Sequence, residues 1–444
     1  MRSLRNIALV SIVLFVHSLN YGQTAKVLNL SLQEARDIAK ARSYQIQIAN
    51  SAVKQARGRN LESWSAFLPS VSLSENYIKS NNPVTVFSLK LKQGIFTQQD
   101  FDLAALNTPD ALDNFTTTFQ VQQPLFNLDA VYGKSAAGLA VKATKESAKR
   151  AQEAVLLHLS KSYYRLILAR ENLRAVNEAV ESARSHRDNA KAVFDEGLIN
   201  QADYLAAEVR LAELEEKRIT ADHHIANVSD ALKFVMGLED ETLIVPTDSL
   251  ALPQGVRTEV SFSNLRSSRS DLRAIALQTK AANRNLWMKR SSWVPRLNAF
   301  GAMEWNASEA FSKDASNWAV GFQLQWNLFE GLGKFGRAQE ATAQKEEAQV
   351  RYRQAEEQAK LEVRKAQRAV QSAEARIKVA QSAVEQAQES LRIVEERFSQ
   401  GLEKTSDLLD KEVSLTNARL RYLQAKHDFN VAKSELSFAL GMSQ

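Results

Sequence analysis

The side chains best placed to do chemistry in this chain lie close to its end. Asp407 and Asp410 stand three residues apart, so on a helix they share one face. Carboxylates grouped in this way attract cations and can set selectivity at a constriction. Read from the residues alone, an aspartate beside a turn serves equally as a helix cap or as solvated surface. A third acid, Asp203, occupies the matching place far upstream. The six histidines, at 17, 158, 186, 223, 224 and 427, form no HExxH pair, and the chain has no cysteine and no serine elbow. Metal, thiol and nucleophile chemistry all lack their residues, so no cofactor and no enzyme activity are expected.

One motif points elsewhere. Gly331-Leu332-Gly333-Lys334-Phe335-Gly336 matches GxGxxG after a strand-like stretch, with Glu356 about twenty residues on, the form of a dinucleotide-binding fingerprint. The context fails, because the preceding strand is amphipathic, the following helix exceeds sixty residues and no βαβ unit returns. These glycines are read instead as turning the chain from strand to helix.

The aspartates belong to a repeated stretch. Phe398, Gly401, Leu402, Asp407, Leu409, Glu412 and Val413 each recur 204 residues earlier, as Phe194, Gly197, Leu198, Asp203, Leu205, Glu208 and Val209. Gly441 likewise matches Gly237. An ungapped repeat of this length is a duplicated architecture. Each copy of the motif is a tight turn between two long helical runs. Gly197 and Gly401 supply the backbone freedom of the turn, and Phe194 and Phe398 pack it.

The elements that must carry these turns are large. Fifteen glycines and seven prolines in 444 residues leave few breaks, and the +6 net charge is interspersed through the helices, which gives no nucleic-acid signature. A basic start, an apolar run from Ile7 to Val16 and a small-residue exit near Gly22 or Ala25 read as a signal peptide, residues 1–22, although a buried first helix would share the pattern. The first repeat, 23–263, reads as a helix, strand–loop–strand over 69–126, a long helix 128–194, a helix 201–236 and a linker 239–263. The second, 264–444, reads as a helix, strands 295–305 and 317–329, a long helix 332–398 and a helix 402–440. A helix of this length would span about 100 Å and needs partners alongside it. No later stretch is apolar for long enough to be a transmembrane helix. The strands instead alternate: Trp318, Val320, Phe322, Leu324, Trp326 and Leu328 on one side, small or amide residues on the other. Four such strands cannot close a barrel, and open edges cannot sit in lipid, so a membrane wall would need several copies. Trp293, Trp305, Trp318 and Trp326 at or near strand ends are candidate interfacial anchors.

At this point the chain resembles the TolC-like outer-membrane efflux proteins over about residues 30–441. The resemblance rests on Leu68-Pro69 and Val294-Pro295 where the strands begin, Gln123-Pro124-Leu125-Phe126 and Trp326-Asn327-Leu328-Phe329 where they end, and the two Phe-x-x-Gly-Leu turns. It implies a mixed fold: a membrane β-barrel of twelve strands, four from each subunit of a homotrimer, continued by a long α-helical barrel through the periplasm. It further implies outer-membrane lipid around the barrel, and a periplasmic adaptor protein joined through it to an inner-membrane pump. The function implied is a gated, passive exit duct of a tripartite efflux or type I secretion system. By the same resemblance Asp407 and Asp410 line the periplasmic aperture, with Asp203 nearby, and Leu198, Leu402 and Leu409 are candidate adaptor contacts, although leucines beside a turn also serve packing within the chain. There is a departure: Glu403, followed by Lys404, stands where the family carries an arginine that helps hold the aperture shut. A different latch is therefore expected. The alternative function, a secreted structural coiled-coil protein without channel activity, accounts for the helices but not for the paired strands or the duplication.

Overall fold

Alternation at period two and heptad spacing at period seven divide this chain between a sheet and a set of long helices. The computed structural model describes residues 27–239, 242–252 and 262–442, so the signal-peptide segment 1–22 lies outside the described residues, as does the stretch 253–261 of the linker. In chain order the elements are β1 (Val27–Leu30), α1 (Leu32–Arg42), α2 (Tyr44–Glu62), β2 (Ser70–Ser80), α3 (Pro83–Gln93), α4 (Leu103–Asn107), β3 (Leu112–Phe126), α5 (Leu128–Asp195) and α6 (Gln201–Met236). Then come β4 (Leu243–Pro246), α7 (Leu265–Ser268), α8 (Ser270–Arg290), β5 (Arg296–Ala307), β6 (Ala315–Gln325), α9 (Gly333–Ser399) and α10 (Thr405–Ala439).

The helices α5 and α9, of 68 and 67 residues, are each about 100 Å long. What holds them is visible in their spacing. Buried residues of α9 fall at Ala359, Val363, Ala366, Val370, Ala373 and Ile377, a 4-3-4-3-4 pattern, and those of α10 at Ala425, Phe429, Ala432, Leu436 and Ala439 follow the same rule. This is the heptad seam of a left-handed coiled coil, with alanine at alternate positions allowing close approach. In the first half, Leu159, Tyr163 and Leu166 of α5 meet Ile225, Val228 and Leu232 of α6 in the same manner.

The single helix expected at the start of the first repeat breaks at Ser43 into α1 and α2. The break receives the end of α6. Gly237, with φ +72°, lies so close that an added Cβ would stand 2.4 Å from the Arg42 carbonyl oxygen. The second repeat builds the same joint: Gly441, φ +69°, sits against the break between α7 and α8, where a Cβ would meet the Ser268 backbone at 2.7 Å. The recurrence of this glycine at a fixed offset is thus a packing requirement. Replacing either by alanine is expected to cost on the order of 2–4 kcal/mol, from strain at positive φ plus displaced backbone. Thermal melting of Gly441→Ala in detergent checks this; a melting temperature equal to wild type would contradict the joint.

Between the repeats, the segment read as a linker contributes a strand, β4, that pairs in parallel with β1. Asp248, just beyond it, accepts from the Leu32 amide at 2.7 Å and from the Tyr163 hydroxyl at 2.8 Å, which fastens the belt to α5. Two short strands separated by more than two hundred residues carry no period long enough to be read from sequence.

The four long strands form one sheet in the order β2-β3-β5-β6, antiparallel throughout. Registers place Val71, Leu73 and Tyr77 of β2, Phe119 and Val121 of β3, Leu297 and Met303 of β5, and Trp318, Val320, Phe322 and Leu324 of β6 on one face. That face is bare: Trp318, Val320 and Phe322 are each more than 70% exposed. Ser72, Ser74, Asn76, Thr116, Thr118, Gln120, Gln122, Asn298, Gln323 and Gln325 occupy the other. Trp326 lies just beyond β6, where its indole N–H donates to the Trp293 carbonyl at 3.0 Å. Trp305 and Trp318 stand at the opposite end of the sheet. The eight residue steps from Trp318 to Trp326 span roughly 26 Å, close to the apolar band of an outer-membrane barrel.

At the start of α9 the three glycines do not form a phosphate cradle. Only Gly331 has positive φ, and α9 begins at Gly333, with Lys334 turned back onto the Asn327 carbonyl and Arg337 paired with Glu330 at 2.7 Å. The motif makes the corner between sheet and helix.

Candidate functional site

The two tight turns have one construction. At the end of α5 the Gly197 amide donates to the Phe194 carbonyl at 2.8 Å and the Leu198 amide to the Val193 carbonyl at 3.0 Å. At the end of α9 the Gly401 amide donates to Phe398 at 2.9 Å and the Leu402 amide to Arg397 at 2.9 Å. Both are Schellman closures, which need a left-handed residue, and the two glycines adopt φ +75° and +73°. No neighbouring atom lies near either glycine, so backbone conformation alone demands it there.

Beyond the turns the copies diverge. Phe194 stacks on Tyr204 with ring centroids 5.7 Å apart, and Asn200 caps α6 by accepting from the Asp203 amide at 3.0 Å. Phe398 is half-buried; the residue matching Tyr204 is Leu408, only 1% exposed, and Lys404, at the N-cap of α10, makes no side-chain cap. The position that departs from the family pattern has a partner: Glu403 binds the Arg397 guanidinium at 2.9 Å, within the same hairpin. The charges that would join neighbouring turns are spent inside one turn, and Lys404 is exposed with no ion pair among the described residues.

Asp407 and Asp410 lie in the first two turns of α10, Asp407 half-buried and Asp410 exposed. Among the described residues neither carboxylate has a salt-bridge or side-chain hydrogen-bond partner, unlike most acids on these helices. Asp203 is half-buried at the start of α6. Leu198 and Leu402 project at the tip, 72% and 63% exposed, whereas Leu409 is half-buried.

One cluster escaped the sequence reading. Glu412, the glutamate of the repeated motif, has an 8% exposed side chain between α5, α6 and α10. It accepts from the Ser182 hydroxyl at 2.7 Å and from the His186 ring at 2.9 Å. Beside it, Arg210 of α6 shares a small cavity of about 60 Å³ and leaves its Nε without a hydrogen-bond partner among the described residues. Burial pushes the Glu412 carboxyl up, but the His186 and Ser182 hydrogen bonds outweigh it and hold the group below the ordinary glutamate range. The hydrogen bond to Glu412 raises His186 above the usual histidine range, against its burial, helped by the charges of Glu412 and of Glu395 on α9. The signal in sequence was the recurrence of Glu208 at Glu412; the partner was hidden, because Glu208 bonds Tyr204 on its own helix instead.

Among the described residues no group of three or more His, Asp or Glu is arranged to hold a metal ion, and no helix is long and apolar enough to cross a membrane. The sheet with one bare apolar face and the paired helical hairpins below it are matched in known proteins. No curated protein sequence matches this chain. Among solved structures, the Campylobacter jejuni CmeC outer membrane channel is similar with a TM-score of 0.80 at 17% identity, covering 100% of this chain and 95% of that one. The Vibrio cholerae outer membrane protein VceC gives 0.75 at 19% identity over 92% and 96% of the two chains. The open state of the Neisseria gonorrhoeae MtrE outer membrane channel gives 0.74 at 18% over 92% and 88%. The family described as outer membrane efflux protein matches residues 27–238 and 262–442, in both repeats. The chain belongs to this TolC-like family of outer-membrane efflux proteins, and is an outer-membrane exit-duct component with a multi-pass β-barrel part and a periplasmic extension, not an enzyme.

Proposed function

We propose that three copies of this chain close a twelve-stranded barrel and a continuous periplasmic helical tunnel, which conducts cargo passively and is gated at the two tight turns. The observation that carries this reading is the sheet. Its strands β2 and β6 each have one unpaired edge among the described residues, its outer face is apolar and bare, and its other face is polar. An open four-stranded sheet with that exposure is not stable in water or in lipid; edge-to-edge closure by further copies satisfies both the backbone and the apolar face. In the closed tunnel Asp407 and Asp410 form two stacked rings of three carboxylates at the periplasmic aperture, with the first turn and Asp203 bracing it. Three purified copies running as one heat-modifiable species, and a small cation-selective conductance in planar bilayers, are the expected results. Absence of any conductance from a correctly assembled protein would favour the structural coiled-coil alternative.

The partners in this reading are a periplasmic adaptor and, through it, an inner-membrane pump. Support comes from Leu198 and Leu402, large apolar side chains left exposed at the tip of the two helical hairpins. Leu198→Asp with Leu402→Asp is expected to leave bilayer conductance unchanged while cutting efflux in cells and adaptor co-purification by at least about tenfold, the effect of losing an apolar hot spot. Unchanged efflux with both leucines replaced would remove them as docking contacts.

A further inference from the structure

The excursion between β2 and β3, read from the sequence only as the loop within 69–126, is built onto one face of the sheet. Its helix α3 is apolar on two sides. Val86 and Leu89 are buried, and Gln93 continues their face, donating to the Asp113 carbonyl at 2.9 Å and to Asn114 Oδ1 at 2.8 Å. Asn114 in turn donates to Asn306 at 3.1 Å, and Lys92 pairs with Glu304 at 2.9 Å. Asn114, Glu304 and Asn306 all belong to the polar face of the sheet. Gly94, which ends α3, comes against Ala315 of β6 on that same face. The helix therefore leaves the edge strand β2 and crosses to the opposite edge strand over the polar side.

The direction matters because the apolar side of the sheet faces lipid, so the polar side faces the lumen. The excursion then sits inside the outer mouth, not around its rim. On the side of α3 opposite Val86, Leu89 and Gln93 lie Val84 at 78% and Leu91 at 53% exposure, and the segment after it adds Phe101 at 66% and Leu103 at 75%. An apolar patch of this kind facing a water-filled lumen is unfavourable unless covered. Symmetry about the axis supplies the cover, since each copy brings the same patch to the same height.

We propose that the 81–111 excursions of three copies meet on the channel axis and pack through these side chains into an apolar constriction at the outer mouth. This rests on the three-copy reading above and adds a second closure to it. The inner closure is acidic and discriminates by charge; the outer one is apolar and resists passage by excluding water.

The absence of cysteine makes the test direct. Val84→Cys and Leu103→Cys, made singly on the full chain in detergent, are treated with a short bismaleimide and run under denaturing conditions. A lipid-face control, Val320→Cys, is treated alongside. Copy-to-copy bands at both excursion sites and none at Val320 are expected. Monomer bands alone from variants that still run as trimers when unheated would overturn the constriction and leave the three-copy reading standing. A wild-type chain that does not run as a trimer would instead overturn the underlying reading, and the constriction with it.

Discussion

Replacing Asp407 and Asp410 together by alanine is expected to abolish the cation preference of the channel. A carboxylate about 6 Å from a passing ion contributes roughly 1–3 kcal/mol at effective dielectric constants between 80 and 20. In the proposed three-copy tunnel six such groups would stand in two rings. Since about 1.4 kcal/mol is a factor of ten, the cation-to-anion permeability ratio should fall by about tenfold or more, toward unity. Folding should be spared, because neither side chain has an ion-pair or hydrogen-bond partner among the described residues to lose. Reversal potentials across a salt gradient, measured for wild type and for the double variant, decide the matter. An unchanged ratio would place the selective constriction elsewhere and release the two aspartates from this role.

Removing Glu412 is the second large effect, and it should show in a pH profile. The pair His186–Glu412 ties α5 to α10 only a few turns above the tip. His186 has a folded pKa raised by its bond to Glu412, so its stabilisation is complete below the unfolded histidine value and is lost as pH rises through the raised value. Glu412 has a lowered folded pKa, so its stabilisation is present above the unfolded glutamate value and is lost as pH falls through the lowered one. Both contributions are therefore full between about pH 4.5 and 6.5, the ordinary glutamate and histidine values. The charges of Arg210 on α6 and Glu395 on α9 also act on this pair. Hydrogen exchange in residues 405–420, corrected for the intrinsic rate, should be slowest there and quicken above it. Glu412→Gln should cost about 3 kcal/mol of local stability, the usual result of breaking a buried pair, and flatten the profile. A Gln variant that retains the wild-type profile would show that the pair does not hold the tip.

Much of this architecture was legible because it is periodic. Alternation exposed the strands Trp318 to Leu324, long runs almost free of glycine and proline exposed the long helices, and the 204-residue offset tied Gly197 to Gly401 and Gly237 to Gly441. Periodicity also fixed the turns, since a Schellman closure needs its glycine at one place. What escaped was aperiodic or depended on which helices become neighbours. The β1–β4 pair is too short to show a period. The break at Ser43 is imposed by Gly237 arriving from another helix. The Glu412–His186 contact joins residues more than two hundred positions apart, and nothing local distinguishes His186 from an ordinary surface histidine. The excursion over β2 and β3 was masked by its mixture of polar caps and apolar side chains, which reads as loop until the sheet beneath α3 is known. At the tip, the sequence showed that Glu403 departs from the family pattern, but not that Arg397 already waits six residues before it.

The order of the strands also bears on how the molecule comes into being. The hairpins α5–α6 and α9–α10 close over a handful of residues, so their seams can zip as soon as each is made. The central sheet pairing, by contrast, sets Phe115 of β3 opposite Ala307 of β5, across nearly two hundred residues. Ends so distant meet late, at a larger cost in chain entropy than the hairpins bear. The helical hairpins can therefore zip before the central β3–β5 pairing closes. The outer strands β2 and β6 pair only with near neighbours in the chain, β3 and β5, so the step that waits longest is the joining of the two strand pairs into one sheet.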